Sequence, residues 1–212
     1  AIAIFIAMVF DLLDGRVARL INAQSEFGAQ LDSLADIISF GITPALVIYN
    51  WSFMELKSVG WGQAAWLGAF LYVACVALRL AKFNTQSHDP DPQIVALRKK
   101  YFFGLPCPTA AAVVASLVWI SETYNWDRMI MGFVATGVAI LVALCMVSNI
   151  LYLNFKDLDL KKHVGFTFVF CIVLAYMIFF RYPAQTLFGL SVLYFLSGPA
   201  LYLWKKLTRG SY

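Results

Sequence analysis

Charge is scarce in this chain. Only 13% of its 212 residues are Asp, Glu, Lys or Arg, about half the ~25% of a typical soluble domain. A globule of this length needs a charged skin, so a soluble single-core enzyme is excluded. A disordered chain is excluded too, because disorder goes with low hydrophobicity. Histidine is almost absent. His88 and His163 stand in polar stretches, where solvated imidazoles are the ordinary outcome. The four cysteines, Cys75, Cys107, Cys145 and Cys171, are widely spaced and form no CxxC pair. Zinc and dithiol motifs are therefore unsupported, and these residues read as small buried hydrophobes. No internal repeat and no low-complexity tract divides the chain, which reads as a single membrane-embedded domain over 1–212.

What is abundant is apolar. Hydrophobic residues make up 61% of the chain, with a mean hydropathy of +0.75. A helix needs ~20 mostly apolar residues to span a bilayer. Seven stretches approach this length, at 1–21, 27–51, 61–80, 104–121, 129–152, 164–180 and 184–204. The fold class predicted is all-α, a polytopic transmembrane bundle. The alternating pattern of a membrane barrel is absent.

Charge then orients the bundle. Arg16, Arg19, Arg79, Lys82, Arg98, Lys99, Lys100, Lys156, Lys161, Lys162, Lys205, Lys206 and Arg209 fall on one side, 13 of the 16 basic residues. Basic loops stay cytoplasmic, so that side is predicted to face the cytoplasm. The formal +4 thus reports topology and gives no reason to expect nucleic acid. Trp51, Trp61, Trp126 and Trp204 lie at predicted helix ends, where amphipathic rings favour the interface.

Acidic residues number 12, and four of them interrupt the first two apolar runs. Asp11 and Asp14 are three apart; Asp32 and Asp36 are four apart. At helical spacing each pair shares a face. A short cytoplasmic turn between the helices lets the two faces meet. Carboxylates in membrane segments are costly and mark function. Four together repel unless protons or cations neutralise them, and hard oxygen donors suit Mg²⁺, Mn²⁺ or Ca²⁺. Arg16 and Arg19 follow directly, and a guanidinium grips phosphate bidentately. Carboxylates, a divalent ion and basic residues are the parts of a phosphoryl-transfer site. A transporter or proton relay also uses intramembrane acids, but it predicts broken helices with acids near mid-membrane.

The run Asp11-x2-Asp14-Gly15-x2-Ala18-Arg19-x8-Gly28-x3-Asp32-x3-Asp36 resembles the signature of the CDP-alcohol phosphotransferase family at all eight fixed positions. Within that family, residues 25–45, 78–84 (LRLAKFN) and 102–112 (FFGLPCPTAAA) are most similar to its integral-membrane phosphatidylserine synthases. The resemblance implies transfer of a phosphatidyl group from CDP-diacylglycerol to L-serine, with release of CMP. It implies a two-metal Mg²⁺ or Mn²⁺ centre on Asp11, Asp14, Asp32 and Asp36, with Asp36 also the base. It implies a CDP site lined by Asp14, Gly15, Ala18, Arg19, Gly28 and Asp32. It further implies a homodimer in the inner membrane of a prokaryote, active on the cytoplasmic side, and a further helix before the one that bears Asp11. Other members of such a family would use glycerol 3-phosphate, inositol phosphate or choline as acceptor.

Arg79, Lys82 and Asn84, in LRLAKFN, are candidates for a lipid-phosphate or serine pocket. Positive-inside charge with snorkelling stems is the ordinary alternative. Gly104, Pro106 and Pro108 are expected to open the fourth helix and shape a pocket. Ser148, Asn149 and Lys156 are weaker site candidates. Arg98, Lys99 and Lys100 read as anchors attracted to anionic lipid.

Overall fold

In lipid every backbone N–H and C=O must be satisfied within the protein, and a helix does this inside a single segment. The computed structural model describes residues 1–20, 25–86, 101–153 and 166–209. Among them are seven helical runs. They are α1 (Ile2–Leu20); α2 (Glu26–Asp36), continued through a π-helical turn (Ile37–Ile42) into α3 (Thr43–Ser58); α4 (Gly62–Gln86); α5 (Cys107–Thr123); α6 (Arg128–Val147); α7 (Phe166–Arg181); and α8 (Pro183–Arg209). Each predicted span overlaps one run. Four segments are long and apolar enough to cross a membrane, Gln30–Ser58, Gly62–Thr85, Arg128–Val147 and Pro183–Tyr202, and Cys107–Thr123 is a shorter apolar helix. The protein is an integral membrane protein with a helical architecture.

Three boundaries differ from expectation, each for a local reason. The second run continues to Ser58, so Trp51 lies inside a helix, where its indole N–H donates to Glu122 Oε1 at 2.6 Å. The fourth helix starts at Cys107 and not at 104. Gly104 has φ +78°, a left-handed conformation open to glycine, and a Cβ there would lie 2.3 Å from the Met146 carbonyl oxygen. Pro106 is the N-cap and Pro108 sits in the first turn, where a missing N–H costs nothing. The fifth helix ends at Val147, and Ser148 turns extended (φ −63°, ψ 161°). Beyond it a two-stranded antiparallel ribbon forms, with β1 (Tyr101–Phe103) pairing β2 (Leu151–Leu153). Gly104 N–H donates to Ile150 O at 2.8 Å and extends this junction.

The helices pack closely because small residues face one another. Lipid tails are as apolar as leucine, so association depends on backbone approach and interhelical polar contacts. Helix α4 packs on α6, α3 packs on α4 and α6, and α5 packs on α8. Ala65, Ala110, Ala111, Ala139 and Ala143 are fully buried among them. A Cβ on Gly132 would meet Leu56 Cδ1 at 2.9 Å. The buried serine and threonine hydroxyls bond locally or across helices. Thr136 Oγ1 donates to Gly132 O at 2.9 Å, and the Ser116 and Ser191 hydroxyls are 3.1 Å apart. Outward, Trp66, Phe70, Leu141 and Leu193 are exposed, as a lipid-facing surface requires.

Candidate active site

The site begins with the two aspartate pairs. Asp11 and Asp14 lie on α1, Asp32 and Asp36 on α2. Helix α2 is started by Ser25, whose Oγ accepts the Gly28 N–H at 3.0 Å, a standard N-cap bond. This cap fixes where the face bearing Asp32 and Asp36 begins.

Three of the four carboxylates expected to converge do so. Carboxylate oxygens of Asp11, Asp14 and Asp32 all lie within 4.8 Å of one another. Asp36 joins through a side-chain hydrogen bond with Asp11. Two carboxyl groups so placed repel unless a proton or cation lies between them. Asp14 and Asp32 are exposed, whereas Asp11 and Asp36 are half-buried, so the cluster opens outward from its deepest member. The donor set is oxygen only. That fits a hard divalent cation such as Mg²⁺, Mn²⁺ or Ca²⁺ and not a thiolate or imidazole metal.

A Cβ on Gly28 would lie 3.1 Å from Ser25 Oγ, the one neighbour within 4 Å among the described residues. Gly15, Ala18 and Arg19 lie on the last turns of α1. The side chains of Ala18 and Arg19, like that of Arg16, fall outside the described residues.

The three stretches singled out in the sequence meet here. Arg79, on α4, points into a half-buried space beside the start of α5. Its Nη2 donates to Gly104 O at 3.4 Å and its Nη1 contacts Cys107 Sγ at 3.7 Å. Both contacts are long, and its Nε is buried with no hydrogen-bond partner among the described residues. Asp36 and Tyr194 are close enough to act on its charge. Lys82 Nζ donates to Asn149 Oδ1 at 2.8 Å. Asn84 Nδ2 donates to Ser33 Oγ at 3.1 Å, which ties α4 to the residue next to Asp32.

Some expectations resolve differently. Asn149, a weak candidate in sequence, is the partner of Lys82. Ser148 instead caps α6, its hydroxyl donating to Cys145 O at 2.8 Å. The turn between α1 and α2, residues 87–92 with His88, the Arg98–Lys99–Lys100 run, Lys156, Lys161, Lys162 and His163 lie outside the described residues. Sequence reasoning missed Ser33, the Gly104 carbonyl, Cys107 and Tyr194 as neighbours of the site. The similar stretches at 78–84 and 102–112 were the available signal, since they bring Arg79 to Gly104 and Cys107.

Comparison with known proteins agrees with this arrangement. A CDP-diacylglycerol--serine O-phosphatidyltransferase of Helicobacter pylori is 33% identical over 197 residues, covering 91% of this chain and 74% of that protein. A protein of the same name from Methanocaldococcus jannaschii is 33% identical over 154 residues, 73% of this chain and 63% of its own. One from Saccharomyces cerevisiae is 39% identical over 116 residues, 55% of this chain and 40% of its own. Residues 1–147 match the family model described as CDP-alcohol phosphatidyltransferase, a stretch that contains the whole aspartate cluster. The chain belongs to the CDP-alcohol phosphatidyltransferase family.

Proposed function

We propose that this enzyme transfers the phosphatidyl group of CDP-diacylglycerol to the hydroxyl of L-serine, giving phosphatidylserine and CMP. The observation that carries the reading is the similarity to proteins named for this reaction over 91% of the chain. The gathered carboxylates of Asp11, Asp14 and Asp32 support it chemically. Membership of a transferase family sets the transporter reading aside.

In this reading Asp11, Asp14, Asp32 and Asp36 hold Mg²⁺ or Mn²⁺. The bound ions would screen the pyrophosphate charge and stabilise CMP as leaving group. Gly28, Gly15, Ala18 and Arg19 line the nucleotide. Asp36 accepts the serine hydroxyl proton as the serine oxygen bonds to the phosphatidyl phosphorus and the bond to the CMP oxygen breaks. A positioned base is needed because an alcohol is a weak nucleophile near neutral pH. Arg79, whose Nε has no hydrogen-bond partner among the described residues, is suited to the serine carboxylate or a lipid phosphate. Lys82 and Asn84 brace α4 against Asn149 and Ser33.

The site would face the cytoplasm of a prokaryotic cell, since 13 of the 16 basic residues fall on that side. Soluble serine then enters from the aqueous side while the acyl chains stay in the bilayer. Residues 1–212 form one membrane-embedded domain in this reading. Assembly as a homodimer rests on the family resemblance.

The test is an acceptor panel on the purified full chain with CDP-diacylglycerol and Mn²⁺. CMP release is expected with serine and not with glycerol 3-phosphate, inositol phosphate or choline. Release with one of those alone would overturn the serine assignment and retain the family chemistry.

A further inference from the structure

Asp36 ends α2, and the wide turn begins at the next residue. A π turn inserts one extra residue into a helix, and such inserts are frequent at functional sites. Here the sequence demands it. Pro44 has no N–H to offer the Phe40 carbonyl four residues earlier, and its ring collides with that carbonyl in a regular α-helix. The Phe40 carbonyl accepts a hydrogen bond from the Tyr72 hydroxyl at 3.1 Å, and both residues are fully buried (0% exposed). Thr43 closes the other edge, with its N–H and its hydroxyl both donating to Ile38 O, the hydroxyl at 2.8 Å. Gly41 lets α4 approach, since a Cβ there would lie 3.2 Å from Val76 Cγ1.

The consequence is angular. Helix α3 is anchored by a buried stripe of Ala45, Ile48, Ser52 and Leu56. Counting about 100° per residue back from the middle of that stripe, an uninterrupted α-helix would put Asp36 roughly 165° away, turned out of the bundle. One inserted residue removes about 100° and brings Asp36 to roughly 65°. Asp36 is in fact half-buried and hydrogen-bonded to Asp11.

We propose that the turn at 37–42 is a register device that aims Asp36 at the other three aspartates, and that Tyr72 is the positioning residue holding it. This rests on the proposed reaction, in which Asp36 takes the acceptor proton. Tyr72 touches neither substrate nor Asp36. It acts by supplying the donor that Pro44 withholds, so that the wide turn has no unpaired buried carbonyl driving it toward another winding.

The test uses the full-length protein in detergent with two readouts, CMP release and binding of Mn²⁺ alone, followed by the EPR signal of the free ion. In Tyr72→Phe, kcat is expected to fall about 10- to 100-fold, the scale of a small misplacement of a reacting group. KM for CDP-diacylglycerol should stay within about twofold, marking a loss in the chemical step, and Mn²⁺ binding should weaken. Pro44→Ala combined with Tyr72→Phe restores the backbone N–H, lets the segment wind as α-helix and should lose more. Removing Ile38, which is 58% exposed, from that double variant takes out the extra residue. The register then returns without the wide turn, and both turnover and Mn²⁺ binding should recover. A purely structural role for Tyr72 predicts no such recovery. Wild-type kcat and Mn²⁺ binding in Tyr72→Phe would overturn the proposal, and so would a folded deletion variant that stays as impaired as its parent. If the deletion variant does not fold, Tyr72→Phe alone decides. If the wild-type protein releases no CMP with any alcohol, the proposed reaction fails, while the Mn²⁺ titrations still report whether Asp36 is aimed.

Discussion

The two ends of the bundle treat acidic side chains in opposite ways. Near the end of α5, Glu122 lies 3.0 Å from the Arg128 guanidinium and accepts the Trp51 indole N–H. Next to it, Asp127 accepts the N–H groups of Met129 and Ile130 and caps α6. Each of these acids has a donor that a structural role requires. At the end where α5 begins, aspartates stand beside one another. There the carboxylates of Asp11, Asp14 and Asp32 converge within 4.8 Å. Acids that meet donors hold a fold together. Acids crowded beside one another lower its stability unless a proton or cation lies between them, which makes this cluster the candidate ligand site.

That contrast can be broken at several points. The largest effect is expected for Asp36→Asn, which keeps the shape and removes the proposed base. Turnover should fall at least about 10²- to 10⁴-fold, the range of a general-base contribution, while the protein stays monodisperse on size exclusion. Retained turnover would remove Asp36 from the chemistry. Arg79→Lys should come next. Lysine keeps the charge but loses the planar fork, so the KM for serine should rise about tenfold, with a loss near 1.4 kcal/mol for each tenfold step. An unchanged serine KM would detach Arg79 from the acceptor. The smallest effect belongs to the other end. Glu122→Gln should leave kcat unchanged and cost no more than about 1 kcal/mol, because its ion pair is largely exposed and solvent-screened. Thermal unfolding in detergent measures that cost. A collapse of activity in Glu122→Gln would erase the distinction between the two ends.

Much of this was legible in the amino-acid order. Seven apolar runs became seven helical runs because lipid leaves the backbone little alternative. The aspartates were legible because acidic residues stand out against so apolar a background and their spacing matches helix geometry. The ribbon at Tyr101–Phe103 and Leu151–Leu153 was not legible, since three-residue strands carry no periodicity to read. Nor were Lys82 with Asn149 or Asn84 with Ser33, contacts between residues far apart in the chain that only helix packing creates. The one-residue insert after Asp36 was also hidden. Hydropathy is blind to it, although Pro44, inside an otherwise helical run, was the visible sign that regular winding fails there.

The central claim is that the aspartate cluster is the metal centre of the transferase. Its most direct measurement is a Mn²⁺ titration of the purified full chain, wild type beside Asp32→Asn and Glu122→Gln, with CMP release followed in the same samples. The account predicts saturable Mn²⁺ binding that tracks serine-dependent CMP release, is lost with a chelator, is lost in Asp32→Asn and is kept in Glu122→Gln. Equal Mn²⁺ binding and equal CMP release in all three proteins would contradict it.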